Sequence, residues 1–137
     1  MILVDAGPLI AVLDHKDAEH KRCVRVLAEL PRPFVSTWAV VTEVFHVLGG
    51  RAGWRSQEGI SRMIDQRALI LANLVETDMP RIRDLMSKYQ SVPMDIADAT
   101  LVVIAERMQR YRIFTLDSDF QIYRTRDRRA FEVVPAP

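Results

Sequence analysis

The chain has a single cysteine, Cys23, so no internal disulfide can staple it and its core must hold by packing. One cysteine fits a reducing compartment, and a cytoplasmic location is expected. No basic stretch opens the sequence and Asp5 arrives early, so no secretory leader is expected. No apolar run nears the roughly 20 residues of a membrane span, and no membrane partner is expected. Glycine is scarce: there are five, and Gly49, Gly50 and Gly53 form neither G-x-G-x-x-G nor G-K-[ST], which argues against a nucleotide phosphate loop. Lysine is scarcer still, at Lys16, Lys21 and Lys88 only, among 19 basic residues. Arginine suits bidentate phosphate contact, but a GC-rich coding bias produces the same composition. With a net charge of +1, only the local cluster Arg124, Arg126, Arg128 and Arg129 stands out as a candidate nucleic-acid contact, against a solvated loop as the plain alternative.

What is present is a domain's worth of core. The chain has 137 residues, 49% of them hydrophobic and 27% charged, so residues 1–137 are expected to form a single domain. Short apolar runs alternate with amphipathic stretches. Strands are expected at Ile2–Asp5, Phe34–Ser36, Ala72–Glu76, Ile113–Leu116 and Phe131–Val134. Helices are expected at Pro8–Leu13, Asp17–Leu30, Trp38–Leu48 with Gly49-Gly50 as its stop, and Ser56–Leu69. Two more follow, from an Asp78 cap to Tyr89 and over Asp95–Gln109, with a helical turn at Phe120–Tyr123. Strands alternating with helices predict an α/β fold with a mostly parallel sheet of about four to five strands covered on both faces. Sites in such sheets form beyond the carboxyl ends of the strands.

Carboxylates gather on that expected rim. Asp5 ends the first strand. Glu43 is the one acid in TWAVVTEVFHVL, whose apolar neighbours leave little room for a solvated stripe. Asp95 and Asp98 open the helix of PMDIADATLV three residues apart, on one face. Asp117 and Asp119 follow the strand IFTL. Singly, each has a plain reading: Asp5 and Asp95 as helix caps, Asp98 as a favourable charge in a first turn, Asp117 and Asp119 as turn residues. Jointly, facing carboxylates repel and are costly to bury without a cation. Hard oxygen ligands select Mg²⁺ or Mn²⁺ over Zn²⁺.

Four blocks, VDAGPLIA, STWAVVTEV, PMDIADATLV and IFTLDSDF, occur in that order across essentially the whole chain. In this the sequence resembles the PIN domain nucleases, specifically the VapC-like ribonuclease toxins of bacterial toxin–antitoxin pairs. The resemblance implies a PIN-like three-layer α/β/α fold and an acidic metal site of Asp5, Glu43, Asp98 and Asp117, with Asp119 competing for the fourth place. Asp95, Thr115 and Ser118 are candidates to orient a carboxylate or a water. The implied chemistry is hydrolysis of RNA phosphodiester bonds (in tRNA, rRNA or mRNA) with Mg²⁺ or Mn²⁺ as cofactor and inhibition of translation as outcome. No histidine base is required. His46 follows Glu43 by one turn and is read as a partly buried or rim residue, and His15 and His20 as surface residues. Trp38 is expected in the core and Trp54 in an exposed loop.

The resemblance also implies a cognate antitoxin covering the site, often through an arginine, and a homodimer, for which Trp38–Leu48 and Ser56–Leu69 are candidate surfaces. Two other enzyme classes fit poorly. Haloacid dehalogenase-like phosphatases place a second aspartate two residues after the first, where this chain has Gly7, and a receiver domain needs a lysine after a late strand, yet none follows Lys88. The main rival is a catalytically inactive PIN-like module that binds RNA or protein; a complete acidic set favours the nuclease.

Overall fold

The computed structural model describes residues 1–137. Five three-residue strands form one parallel sheet: β1 (Ile2–Val4), β2 (Phe34–Ser36), β3 (Leu69–Leu71), β4 (Arg112–Phe114) and β5 (Glu132–Val134), in the order β3-β2-β1-β4-β5. The central strands are buried on both faces, which is why ILV and FVS read as continuous runs without alternation. Helices α1 (Ala6–Leu13), α2 (His20–Glu29), α3 (Trp38–Arg51) and α4 (Trp54–Asp65) pack on one another, while α6 (Ile96–Met108) packs against both α3 and α5 (Met79–Lys88). The expected three-layer α/β/α class is what the chain adopts, with all five strands parallel.

The order of strands places the site. Chain growth runs from β1 outward through β2 to β3, then returns to the other side of β1 for β4 and β5. The direction of winding therefore reverses between β1 and β4, and a crevice opens above their carboxyl ends. Asp5 follows β1 and Thr115 follows β4 on that crevice; the Asp5 N–H still donates to the Phe114 carbonyl at 3.0 Å, so the ladder extends to its edge.

Several expected boundaries shift. The third strand is Leu69–Leu71, not Ala72–Glu76, and α4 ends at Asp65 rather than running to Leu69. RALILANLVE is one apolar stretch whose pattern does not choose a strand; pairing of Phe34 with Leu69 and Ser36 with Leu71 does. Arg67, at a φ of 57°, makes the turn between helix and strand. Gly49 and Gly50 do not stop α3, which continues to Arg51 before Gly53 turns the chain at a φ of 81°.

Trp38 is not in the core. It is the first residue of α3 and 65% exposed, because Val40, Val41, Val44 and Leu48 take the inward face. The same geometry gives α3 the solvated stripe that its composition argued against: Thr42, Glu43 and His46 lie outward. Of the apolar positions in Trp38–Leu48, Val40, Val41, Val44 and Leu48 belong to the core and Trp38 remains exposed. Trp54, at the start of α4, is 64% exposed as expected.

Candidate metal centre

Three carboxylates meet at the crevice. Oxygens of Asp5, Asp98 and Asp117 all lie within 4.8 Å of one another. Glu43 and Asp95 line the same cleft of about 300 Å³, so five carboxyl groups face it and no basic side chain does. Asp119 stays out of this group; its N–H donates to Asp117 Oδ1 at 2.9 Å in a tight turn. Ser118 is exposed and lines a neighbouring cleft. His46 is exposed and does not line the acidic cleft, and His15 is exposed. His20 is partly buried, with Nδ1 2.7 Å from the Ala11 carbonyl.

Local chemistry holds each acid in place. Asp5 is the N-cap of α1, and its Oδ1 accepts from the Ala6 N–H at 2.8 Å. Its Oδ2 accepts from the Thr115 hydroxyl at 2.9 Å, and the Thr115 oxygen in turn accepts the Asp117 N–H at 3.0 Å. One buried threonine therefore ties two acids together. Asp95 caps α6 and forms a reciprocal box with Asp98: the Asp98 N–H donates to Asp95 Oδ1 at 2.9 Å, and the Asp95 N–H donates to Asp98 Oδ2 at 3.2 Å. Thr37, the N-cap of α3, meets Thr100 of α6 hydroxyl to hydroxyl at 2.8 Å, which sets the helix of Glu43 beside that of Asp98.

The cap and site readings of Asp5 and Asp95 are therefore not alternatives. A helix N-terminus supplies the backbone donors that make a buried carboxylate tolerable there. Pattern reading missed a further contact. The Tyr123 hydroxyl donates to Asp98 Oδ2 at 3.2 Å. In the sequence Tyr123 is only the end of an apolar turn, and nothing in its spacing links it to a residue 25 positions earlier.

The electrostatics of the cleft favour a bound positive charge. Burial, and then the charges of Asp117 and Glu43, push the Asp5 carboxyl up to about 6 against the pull of its two hydrogen bonds. Burial and the adjacent Asp95, with Asp5 and Asp117 behind it, push Asp98 up to about 7. Glu43 is raised by burial and by Asp95, and Asp119 by burial and by Asp117. The Tyr123 phenol is pushed far up, by burial first and then by Asp98, so it remains a donor. Two of the three clustered aspartates keep an oxygen with no protein donor, Asp98 Oδ1 and Asp117 Oδ2, while both oxygens of Asp5 accept one hydrogen bond each. Hard oxygens, no competing base and raised affinity for protons together suit a divalent ion such as Mg²⁺ or Mn²⁺.

The arginine cluster is divided. Arg124 turns its guanidinium to the carbonyls of Gln121 and Tyr123, and Arg129 pairs with Asp127 and covers the Tyr111 ring. The Arg126 N–H is held by Glu106, eight residues down α6 from Asp98 and so about 12 Å along the helix axis. Arg126 thus lies toward the opposite end of α6 from Asp98.

The family model for the PIN domain matches residues 2–126. The chain belongs to the PIN domain family. The resemblance carried by the four sequence blocks holds at that level. Ribonuclease VapC26 of Mycobacterium tuberculosis is 27% identical to this PIN domain over 116 residues, covering 85% of the chain and 86% of that protein. The crystal structure of Mycobacterium tuberculosis VapC20, described as a Sarcin-Ricin loop cleaving toxin, superposes with a TM-score of 0.82 at 18% identity, over 89% of this chain and 94% of that one. At that identity the second match establishes the fold.

Proposed function

We propose that this PIN domain is an endoribonuclease dependent on Mg²⁺ or Mn²⁺, acting in the cytoplasm as the toxin of a toxin–antitoxin pair that inhibits translation. The observation that carries the reading is the convergence of Asp5, Asp98 and Asp117 within 4.8 Å at the switch point of a parallel sheet. The names of the two relatives, a ribonuclease and a Sarcin-Ricin loop cleaving toxin, support RNA as substrate class.

Asp5, Asp98 and Asp117 would hold the ion, with Glu43 at the rim of the cleft. When bound, the ion supplies an activated water and positive charge opposite the scissile phosphate. The chain's own residues do the rest. Thr115 keeps the Asp5 and Asp117 carboxylates in register through two hydrogen bonds. The Asp95 cap keeps Asp98 at the mouth of α6. Excess negative charge in the cleft disfavours RNA until a cation is present, which makes cleavage conditional on metal. The same charge complements a guanidinium, so an antitoxin arginine is a fitting plug. A homodimer is part of the proposal, with Trp38 and Trp54 as exposed apolar residues available to it. Arg126 and Arg128 are the cluster members whose guanidinium groups remain available for RNA backbone.

The test is cleavage of a mixed RNA pool by protein freed of any co-purifying partner, with Mg²⁺, Mn²⁺ or EDTA, beside Asp98→Asn. Metal-dependent cleavage lost in the variant supports the reading. Wild type as inert as the variant with either metal would establish the inactive binding module instead.

A further inference from the structure

We propose that Tyr123 is the positioning residue for Asp98, holding that carboxylate so that one oxygen is committed to the protein and the other is presented to the cation. The inference rests on the reading of the acidic group as a divalent-metal site. Its basis is the geometry of one hydrogen bond and its surroundings.

A carboxylate at the first turn of a helix is not rigid, because its terminal torsion is broad and roughly two-fold. The Asp95 N–H alone reaches Asp98 Oδ2 at 3.2 Å. The Tyr123 hydroxyl reaches the same oxygen at 3.2 Å from outside the helix. Two donors from different directions on Oδ2 fix the plane of the group and leave Oδ1 without a protein partner. Asp5 is held differently, with one donor on each oxygen, Ala6 N–H on Oδ1 and the Thr115 hydroxyl on Oδ2. Asp117 is held by the backbone of its own turn.

Tyr123 has the rigidity that such a role needs. It is fully buried. Its ring meets Tyr89 edge-on with centroids 5.1 Å apart at 64°, and Phe120 at 5.1 Å and 83°. Such contacts hold a ring in one pose. The Tyr89 hydroxyl accepts the Arg124 N–H at 2.9 Å, which pins the chain just after Tyr123. The Tyr123 N–H also bonds the Asp119 carbonyl at 3.2 Å, in the turn that presents Asp117. Tyr123 therefore links the turn after Asp117, through its backbone N–H, to Asp98 at the start of α6, through its hydroxyl.

The test measures Mn²⁺ binding to metal-free protein by the loss of the free-ion paramagnetic signal, for wild type, Tyr123→Phe and Tyr111→Phe. Tyr123→Phe keeps the ring and deletes the donor. It is expected to weaken Mn²⁺ about 10-fold, the lower end of what outer partners of metal ligands contribute, and to raise the metal concentration for half-maximal RNA cleavage by the same factor. Tyr111→Phe, which removes a hydroxyl that bonds none of the clustered acids, is expected to stay within about twofold of wild type.

Tyr123→Phe binding Mn²⁺ as wild type does would overturn the inference and leave the nuclease reading intact, as would equal weakening in both variants. Wild type that binds no Mn²⁺ while remaining folded would overturn both. Should Tyr123→Phe not fold, wild type carrying 3-fluorotyrosine answers instead. The fluorine resonance of Tyr123, assigned by elimination with Tyr89→Phe and Tyr111→Phe, is expected to shift along the Mg²⁺ saturation curve, and a resonance that stays still refutes the role.

Discussion

At the scale of single residues, the acidic cleft sets stability against activity. Asp98 is buried beside three other acids and carries a carboxyl raised to about 7. Replacing it by asparagine removes charge repulsion while keeping an oxygen for the Asp95 N–H and the Tyr123 hydroxyl. Asp98→Asn is therefore expected to raise the melting temperature of metal-free protein at pH 8 by a few degrees, a gain on the order of 1 kcal/mol. It should also lower cleavage at least about 100-fold. Thermal melts with EDTA beside RNA cleavage rates check both signs.

Thr115 should behave in the opposite way. Thr115→Val keeps the shape but deletes the donor to Asp5 and leaves the Asp117 N–H unpaired in a partly buried position. A loss of about 1–3 kcal/mol is expected, together with about 10-fold slower cleavage. Denaturant midpoints that do not move for Thr115→Val would show that the bridge contributes nothing.

At the scale of elements, the N-termini of helices carry the site. The α6 box joins Asp95 and Asp98, and Asp95 also repels the neighbouring acids that it helps to place. Asp95→Ala is expected to cost about 1 kcal/mol at pH 5, where the lost cap dominates. The cost should be smaller at pH 8, where relief of Asp98 and Glu43 offsets it. Urea unfolding at the two pH values measures the difference, and an equal cost at both would refute it.

At the other end of α6, Glu106 accepts from Arg81 of α5 through Nε at 3.0 Å and a terminal nitrogen at 2.7 Å, and also holds the Arg126 N–H. This largely buried, two-pronged contact locks α5 and the Arg126 loop onto α6. Glu106→Ala is expected to destabilise by about 1–3 kcal/mol and to leave Mn²⁺ affinity unchanged, because the contact lies about 12 Å along the axis from Asp98.

At the scale of the whole molecule, the cluster links folding to protons and metal. A carboxyl whose folded pKa lies above its unfolded value binds more protons folded than unfolded, so stability falls as pH rises between the two values. For Asp5 that window runs from 3.8 to about 6, and for Asp98 from 3.8 to about 7. Asp5 alone corresponds to about 3 kcal/mol across its window. Metal-free protein is expected to melt lower at pH 7.5 than at pH 5.5. Saturating Mn²⁺ should remove the slope by binding the ionised cluster, adding about 2.7 kcal/mol at 100 times its dissociation constant. Calorimetric melts at both pH values, with Mn²⁺ and with EDTA, decide it; a metal-free melting temperature that rises over this range would refute the linkage.

Much of this molecule was legible in its linear order. Apolar triplets such as ILV and FVS, doubly buried, announced a parallel α/β sheet, and Asp5, Asp95 and Asp117 stood where strands end or helices begin. Those signals are local: a cap, a turn and a buried strand each need only a few neighbouring residues. Three other features depended on contacts far apart in the chain. Leu69–Leu71 became the strand, rather than Ala72–Glu76, because register against β2 is an interaction between segments. Trp38 faces outward because the volume inside α3 is filled by Val40, Val41, Val44 and Leu48. Asp117 rather than Asp119 joins Asp5 and Asp98, and Tyr123 reaches Asp98, because the reversal of winding between β1 and β4 folds the ends of distant segments onto one crevice. The residue types determined the chemistry available; only packing decided which carboxylates share a space, since repulsion and hydrogen bonding act over distances that sequence separation does not measure.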